Sequence, residues 1–259
     1  MAPSMDALAA DLVAESADLR AMLDPLTEPD WRHATPAAGW SVLDQVSHLA
    51  HFDEAALRSA TEPEGFKSIS SAGVDPDAIA EGYRGRSGAA VLAWFDATRA
   101  ELVAVFRGLD PALRVPWYGP PMSAASSLTA RIMETWAHGQ DVADALGVVR
   151  VPTDRLRHVA HIGVRALPFS FALRGRPTPD LPVRVEVTAP SGAGWTWGPA
   201  DAADRVSGPA LDFCLLVTQR RHRDDVALRV EGPVAGEWVE IAQAFAGAPG
   251  AGRRAGQFA

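Results

Sequence analysis

Leu8, Leu12, Leu19 and Leu23 fall on helical spacing with acids filling the intervals, so residues 5–24 read as an amphipathic helix closed by Pro25. A second apolar stripe of Val42, Val46, Leu49 and Leu57 runs through SVLDQVSHLAHFDEAALRSA and predicts a helix over residues 41–60. Ser41 is its N-cap, and Asp44 three residues later makes a loose capping box. Residues 87–109, SGAAVLAWFDATRAELVAVFRGL, form a third helix, and residues 123–146 a fourth that Gly147 ends in the left-handed cap position. Between the second and third lies an irregular connection, residues 61–86, with one short helix around DPDAIAEGY. A loop rich in proline and aromatics, DPALRVPWYGPPM, precedes the fourth. Four helices joined this way predict a helical bundle.

After residue 150 the period changes. VPTDRL is a linker leading into a helix at about residues 153–167. VRVEVTA (183–189), GWTWG (194–198) and VALRVEG (226–232) then alternate as strands, while 208–221 and 234–247 read as helices. Trp195 and Trp197 share one strand face and are expected to pack in the core. The expected fold class is therefore α+β overall. A four-helix bundle occupies residues 1–150, a small α+β domain residues 151–248, and a flexible tail residues 249–259. No internal repeat is visible.

Composition narrows the functional classes. Apolar residues make up 47% and charged residues 22% of 259, enough apolar material for a sizeable core. The formal net charge of −8 argues against a nucleic-acid binder and against recruitment to an anionic membrane. No apolar run reaches the ~18 residues of a membrane helix, and MAPSMDALAADLVAE has acids where a secretory leader is basic. A cytoplasmic location is expected. Cys214, the single cysteine, leaves no intramolecular disulfide and no cysteine-rich metal site. Within LDFCLLV it reads as a small buried hydrophobe, the alternative being a nucleophile.

The polar chemistry gathers on two helices. In ETWAHGQD, Glu134 and His138 are four residues apart and share a face, with Asp141 three further on. This spacing chelates a metal, or makes an ordinary hydrogen bond on a wet surface. Met133, Trp136, Ala137 and Leu146 make the helix apolar on several sides, and a buried Glu–His pair is costly unless paired or ligated. His48 and His51 lie at i, i+3 on the second helix. A histidine there is commonly a satisfied core residue. One such histidine added to the Glu–His pair would nevertheless complete a ligand set of two histidines and a carboxylate, which leaves positions open for water or substrate.

GWSVLDQVSHLAHFDEAAL together with ETWAHGQDVADALG resembles the DinB-like metal-binding fold, and within it the actinobacterial branch of mycothiol-dependent maleylpyruvate isomerases. The resemblance covers about the first 150 residues. It implies that His48, Glu134 and His138 bind a divalent metal, zinc in most members. The remainder resembles the small sterol-carrier-like domain that often follows, with GPALDFCLLVTQRR its recognisable piece.

Other residues are candidates beside this set. His51 is an acid/base, a group supporting the ligands or a surface residue, and Asp141 orients His138 or caps neighbouring backbone. Trp117 and Tyr118 wall a cofactor pocket or simply pack. Asp44 caps or anchors a loop. Arg220, with Arg221 beside it, is an anion clamp or answers the dipole of its helix C-terminus.

The expected function is a divalent-metal enzyme acting on a small electrophilic or carbonyl-containing metabolite, as a mycothiol-dependent isomerase or S-transferase. A metal Lewis-acid hydrolase, lyase or cyclase needing no thiol is one alternative. A non-catalytic module holding metal or an apolar ligand is the other. The partners are a small-molecule substrate, without nucleic acid or membrane, in a monomer or homodimer. A fold does not fix a reaction.

Overall fold

The computed structural model describes residues 4–70, 73–250 and 252–258. The chain divides into two compact units, residues 1–150 and 151–259.

The first unit is built on four long helices. Helix α1 (Met5–Leu23) starts where Ser4 accepts a hydrogen bond from Ala7 N, and it buries Leu8, Leu12, Leu19 and Leu23. Helix α2 (Val42–Thr61) opens on a complete capping box: Ser41 Oγ accepts from Asp44 N, and Asp44 Oδ2 accepts from Ser41 N at 2.8 Å. The other oxygen of Asp44 takes Arg84 Nε at 3.0 Å, so its anchoring role spans two loops. Leu57, expected in the apolar stripe, is only half-buried.

The connection 61–86 is more helical than its composition suggests. Helix α3 (Pro63–Ser70) buries Phe66 alone, so no periodic stripe announces it. Helix α4 (Pro76–Tyr83) covers the expected short helix and is capped by Asp75. Helix α5 (Gly88–Arg107) follows, then a short hairpin of β1 (Arg114–Val115) and β2 (Met122–Ser123), which carries Trp117 and Tyr118 in its loop. Helix α6 (Ala124–Leu146) stops at Gly147, whose φ of 66° is the left-handed cap.

Helix α2 packs on α5 and α6, and α1 on α6 and α5. Besides a smaller apolar cluster around Phe52 and Phe66, two large ones lie in the bundle. One holds Leu8, Leu12, Leu102, Phe106, Leu128 and Ile132; the other holds Leu19, Leu23, Leu43, Leu49, Phe95 and Val142. Between these stretches of the four helices lies a polar group: half-buried Ser16 Oγ accepts from Arg99, Arg99 Nε donates to the buried Asp53 Oδ2 at 2.7 Å, and Arg131 stands nearby.

In the second unit, α7 (Leu156–Arg165) and α8 (Leu167–Leu173) precede a four-stranded sheet. Its strands are β3 (Val183–Thr188), β4 (Gly194–Trp197), β5 (Asp204–Pro209) and β6 (Arg229–Glu231), in the order β4-β3-β5-β6. Only the β3–β5 pair is parallel. Strand β3 alternates buried and half-buried as its sequence predicts. Strand β5 goes unannounced because one of its inward residues is Asp204, whose Oδ1 accepts Ala235 N at 2.9 Å. Helix α9 (Ala210–Val217) is consequently shorter than the expected 208–221. Helix α10 (Pro233–Ile241) ends six residues before the expected 247, where Gln243 N turns to Ser170 Oγ. Phe213 and Trp238 meet edge-on in the core, with centroids 5.9 Å apart.

Part of the tail contacts the rest of the second unit. Gly256 N donates to Asp225 Oδ1 at 2.8 Å, and the Arg221 guanidinium lies 3.9 Å from the Phe258 ring centre. Residues 251 and 259 lie outside the described residues.

Candidate metal centre

Helix α2 presents His48 and α6 presents Glu134 and His138, and the three side chains converge. One donor atom from each lies within 4.8 Å of the others, the one such group found among the described residues. Glu134 Oε2 is 3.2 Å from His138 Nε2 and 3.7 Å from His48 Nε2. The two imidazole centroids are 4.4 Å apart. Both histidines therefore turn Nε2 toward the same carboxylate oxygen, as ligands of one ion would.

A hydrogen-bond chain sets the His138 ring. Thr35 Oγ1 donates to Trp40 O at 2.9 Å and accepts from Gln45 Nε2 at 2.9 Å. That fixes the Gln45 amide with Oε1 facing His138 Nδ1, at 2.5 Å. Nδ1 is then the protonated nitrogen and Nε2 keeps its lone pair for a cation. The orienting role that the sequence reading gave Asp141 belongs to Gln45, because His138 has both nitrogens engaged elsewhere. Asp141 is buried in α6 and has its own partners. His48 Nδ1 has no hydrogen-bond partner among the described residues.

Electrostatics agree with this geometry. Burial, with the neighbouring charge of His138 next, pushes His48 down to about 3, so the ring is neutral near pH 7. Burial alone would raise Glu134, but the adjoining imidazoles of His138 and His48, with the charge of Arg131, outweigh it and hold the carboxyl well below the usual range. Two imidazoles and one carboxylate, which bind metals with bonds of ~2 Å, are within reach of one divalent ion after small side-chain shifts.

Aromatic rings enclose the cluster. Trp40 lies 5.2 Å from the His48 centroid and stacks on His138 at 6.0 Å, while Phe52 contacts His48 at 4.5 Å. His51 points elsewhere: its Nδ1 is 3.0 Å from Tyr83 Oη, and burial lowers its pKa. It lines an open groove of about 380 Å³ together with Ile69, Val74, Asp75, Ile79 and Tyr118. Trp117 packs beneath, stacked on Phe66 at 5.9 Å and edge-on to Tyr118 at 5.2 Å. Tyr118 thus meets the groove and Trp117 supports it.

Arg220 belongs to the second unit. There its backbone N donates to Leu215 O at 2.8 Å, just past Gln219 at φ 60°, and its guanidinium donates to Thr218 O at 2.7 Å. It closes the end of α9, the dipole role open from sequence. Gln45 and Tyr83 escaped the sequence reading. Gln45 is three residues before His48 on the same face of α2, a spacing that signals a partner for the site.

Comparison with known proteins matches this picture. The family model described as the mycothiol maleylpyruvate isomerase N-terminal domain matches residues 12–143, just over half of the chain. A second, described as wyosine base formation, matches residues 179–230, including β3, β4 and β5. Uncharacterized proteins of Mycobacterium tuberculosis, from strains CDC 1551 / Oshkosh and ATCC 25618 / H37Rv, are 46% identical over 250 residues, covering 94% of this chain and 97% of theirs. The crystal structure of the mycothiol-dependent maleylpyruvate isomerase superposes with a TM-score of 0.58 at 16% identity. That of its variant with one histidine changed to alanine gives 0.60 at 15%; each comparison covers 89% of this chain and 95% of the other. At such identity the two establish a shared fold, the DinB-like bundle followed by a small α+β unit. With a family match spanning all the proposed ligands, the chain belongs to the mycothiol maleylpyruvate isomerase N-terminal domain family.

Proposed function

We propose that His48, Glu134 and His138 hold one divalent metal, zinc first among candidates, and that the chain is an enzyme joining a low-molecular-weight thiol to a small electrophilic metabolite. The supporting observation is the convergence of two buried histidines and a half-buried carboxylate within 4.8 Å, with one imidazole locked by Gln45 so that Nε2 faces the cluster. Three protein ligands leave a coordination position open. Bound there, the metal supplies Lewis-acid stabilisation of a thiolate near neutral pH.

The chain's own thiol does not compete for this role. Cys214 is fully buried in α9 of the second unit, donates to Leu156 O at 3.4 Å, and is pushed well up by burial. Mycothiol, named in the family description, is the co-substrate we favour. Its sulfur adds to the β-carbon of an α,β-unsaturated carbonyl compound, and the former double bond becomes a single bond free to rotate. Loss of the thiolate restores the double bond in the other configuration, and the thiol is regenerated. If the adduct is instead protonated and released, the outcome is S-transfer.

The surrounding residues prepare this step. Trp40 and Phe52 limit water around the ligands, which strengthens charge interactions inside. His51 has Nδ1 committed to Tyr83, so Nε2 is the nitrogen available to move a proton in the groove.

Elemental analysis of the purified chain is expected to give one equivalent of divalent metal, lost in His138→Ala. Finding none removes the metal. Turnover of a cis-enone acid is expected to require mycothiol; equal rates without thiol would favour direct Lewis-acid chemistry.

A further inference from the structure

Arg131 is a buried cation with no carboxylate at hydrogen-bonding distance among the described residues. It lies on α6 three residues before Glu134 and seven before His138, on the same helical face. It is 5% exposed. Among the described residues the one carboxylate within 4.0 Å of it is Asp53, whose Oδ1 stands at that limit from Nη1, beyond hydrogen-bonding distance. Asp53 is already paired: Arg99 Nε donates to its other oxygen at 2.7 Å and Arg99 Nη1 goes to Ser16 Oγ. Two guanidiniums thus share one carboxylate. Arg131 Nη1 and Asp53 Oδ1 are both buried without a hydrogen-bond partner.

Such an arrangement costs stability unless a further anion completes it. Nothing in a purely structural ion pair requires the second arginine. The guanidinium lies 5.6 Å over the Trp117 ring, and Trp117 meets Tyr118 edge-on at the groove. Its charge bears on Glu134, His48 and Tyr118. A divalent ion at the ligand cluster would add further positive charge.

We propose that Arg131 is the anion-recognising residue of this site, binding the carboxylate of a small organic acid through its guanidinium fork while the acid's reactive carbon faces the ligand cluster. Arginine suits the task because its planar fork matches a carboxylate with two parallel hydrogen bonds. The inference rests on the proposed function for the direction of the reactive carbon, and on the unpartnered buried guanidinium nitrogen for the carboxylate.

The test uses the full chain, metal-free and zinc-loaded, titrated with crotonate and with uncharged crotonamide while tryptophan fluorescence is followed. The wild type is expected to prefer the acid at least tenfold in both forms. Arg131→Met is expected to lose that preference with an unchanged or higher Tm, because a poorly paired buried charge has gone. Arg131→Lys is expected to keep part of it. Equal affinity for acid and amide in the wild type overturns the proposal, as does a preference that survives in Arg131→Met. A Tm drop in Arg131→Met as large as that of Asp53→Ala marks a structural ion pair and overturns it too. Should Arg131→Met fail to fold, Arg131→Lys and the wild-type preference decide. Preference for the acid in metal-free protein that takes up no zinc would sink the metal reading and leave Arg131's role standing.

Discussion

At the scale of residues, the proposed metal ligands are separable from their support. Gln45 Oε1 holds His138 Nδ1, so Gln45→Leu removes the partner while keeping similar bulk. Losing such a support typically weakens metal binding ~10–100-fold, and competition with a chromophoric chelator is expected to show a loss in that range with the fold intact by circular dichroism. An unchanged affinity would mean that the ring is held by packing against Trp40 alone. Asp53 gives the opposite behaviour. It is fully buried and is the partner of Arg99, so Asp53→Ala strands a buried cation. A cost of ~3–5 kcal/mol in urea unfolding is expected, whereas a cost under ~1 kcal/mol would mean that water reaches the pair. The convergence of His48, Glu134 and His138 was legible because residues four apart share a face of α6 and α2 carries its own motif. Gln45 and Arg131 were not, since their meaning depends on which α2 residue faces which α6 residue, and no single-helix pattern encodes that pairing.

At the scale of elements, the sequence announces a helix by its stripe and its caps, and misses one that has neither. Helices α1, α2, α5 and α6 have both and lie within a few residues of expectation. Helix α3 buries only Phe66 and β5 buries Asp204, so neither displays the apolar period of its class. Glycines test how tightly the elements are packed. A Cβ on Gly88, at the start of α5, would stand 2.3 Å from the Trp31 ring, and Trp31 is 3% exposed in the core. Gly88→Ala is expected to lower stability by ~1–3 kcal/mol through overpacking. Gly82 lies inside α4 with nothing within 4 Å of the added carbon. There alanine is expected to add ~0.5–1 kcal/mol by its better helix propensity. Chemical denaturation of the two variants should move in opposite directions; a loss at both would mean that α4 is held by contacts an alanine disturbs.

At the scale of the whole molecule, the candidate centre joins helices distant in the chain. His48 comes from α2 and the other two donors from α6, so about 90 residues of loop, helix and hairpin lie between ligands that one ion would tie together. That closure was legible as an expectation, because two motifs on separate helices supplied complementary ligands, while the hairpin β1–β2 and helix α3 along the way were not. No described helix is long and apolar enough to cross a membrane. A metal that binds only the folded bundle stabilises it by mass action, by about 2.7 kcal/mol at a hundred times its Kd. Treatment with a strong chelator is expected to lower Tm, and readdition of zinc to restore it in proportion to the logarithm of free zinc. Hydrogen exchange localises the effect: protection should rise on zinc binding in α2 around His48 and in α6 from Glu134 to His138, and stay level in β3 and β5 of the second unit. A zinc effect spread equally over both units would show that the ion binds elsewhere as well, and no effect in α2 would show that His48 is not a ligand, leaving the pair on α6 as an ordinary i, i+4 hydrogen bond.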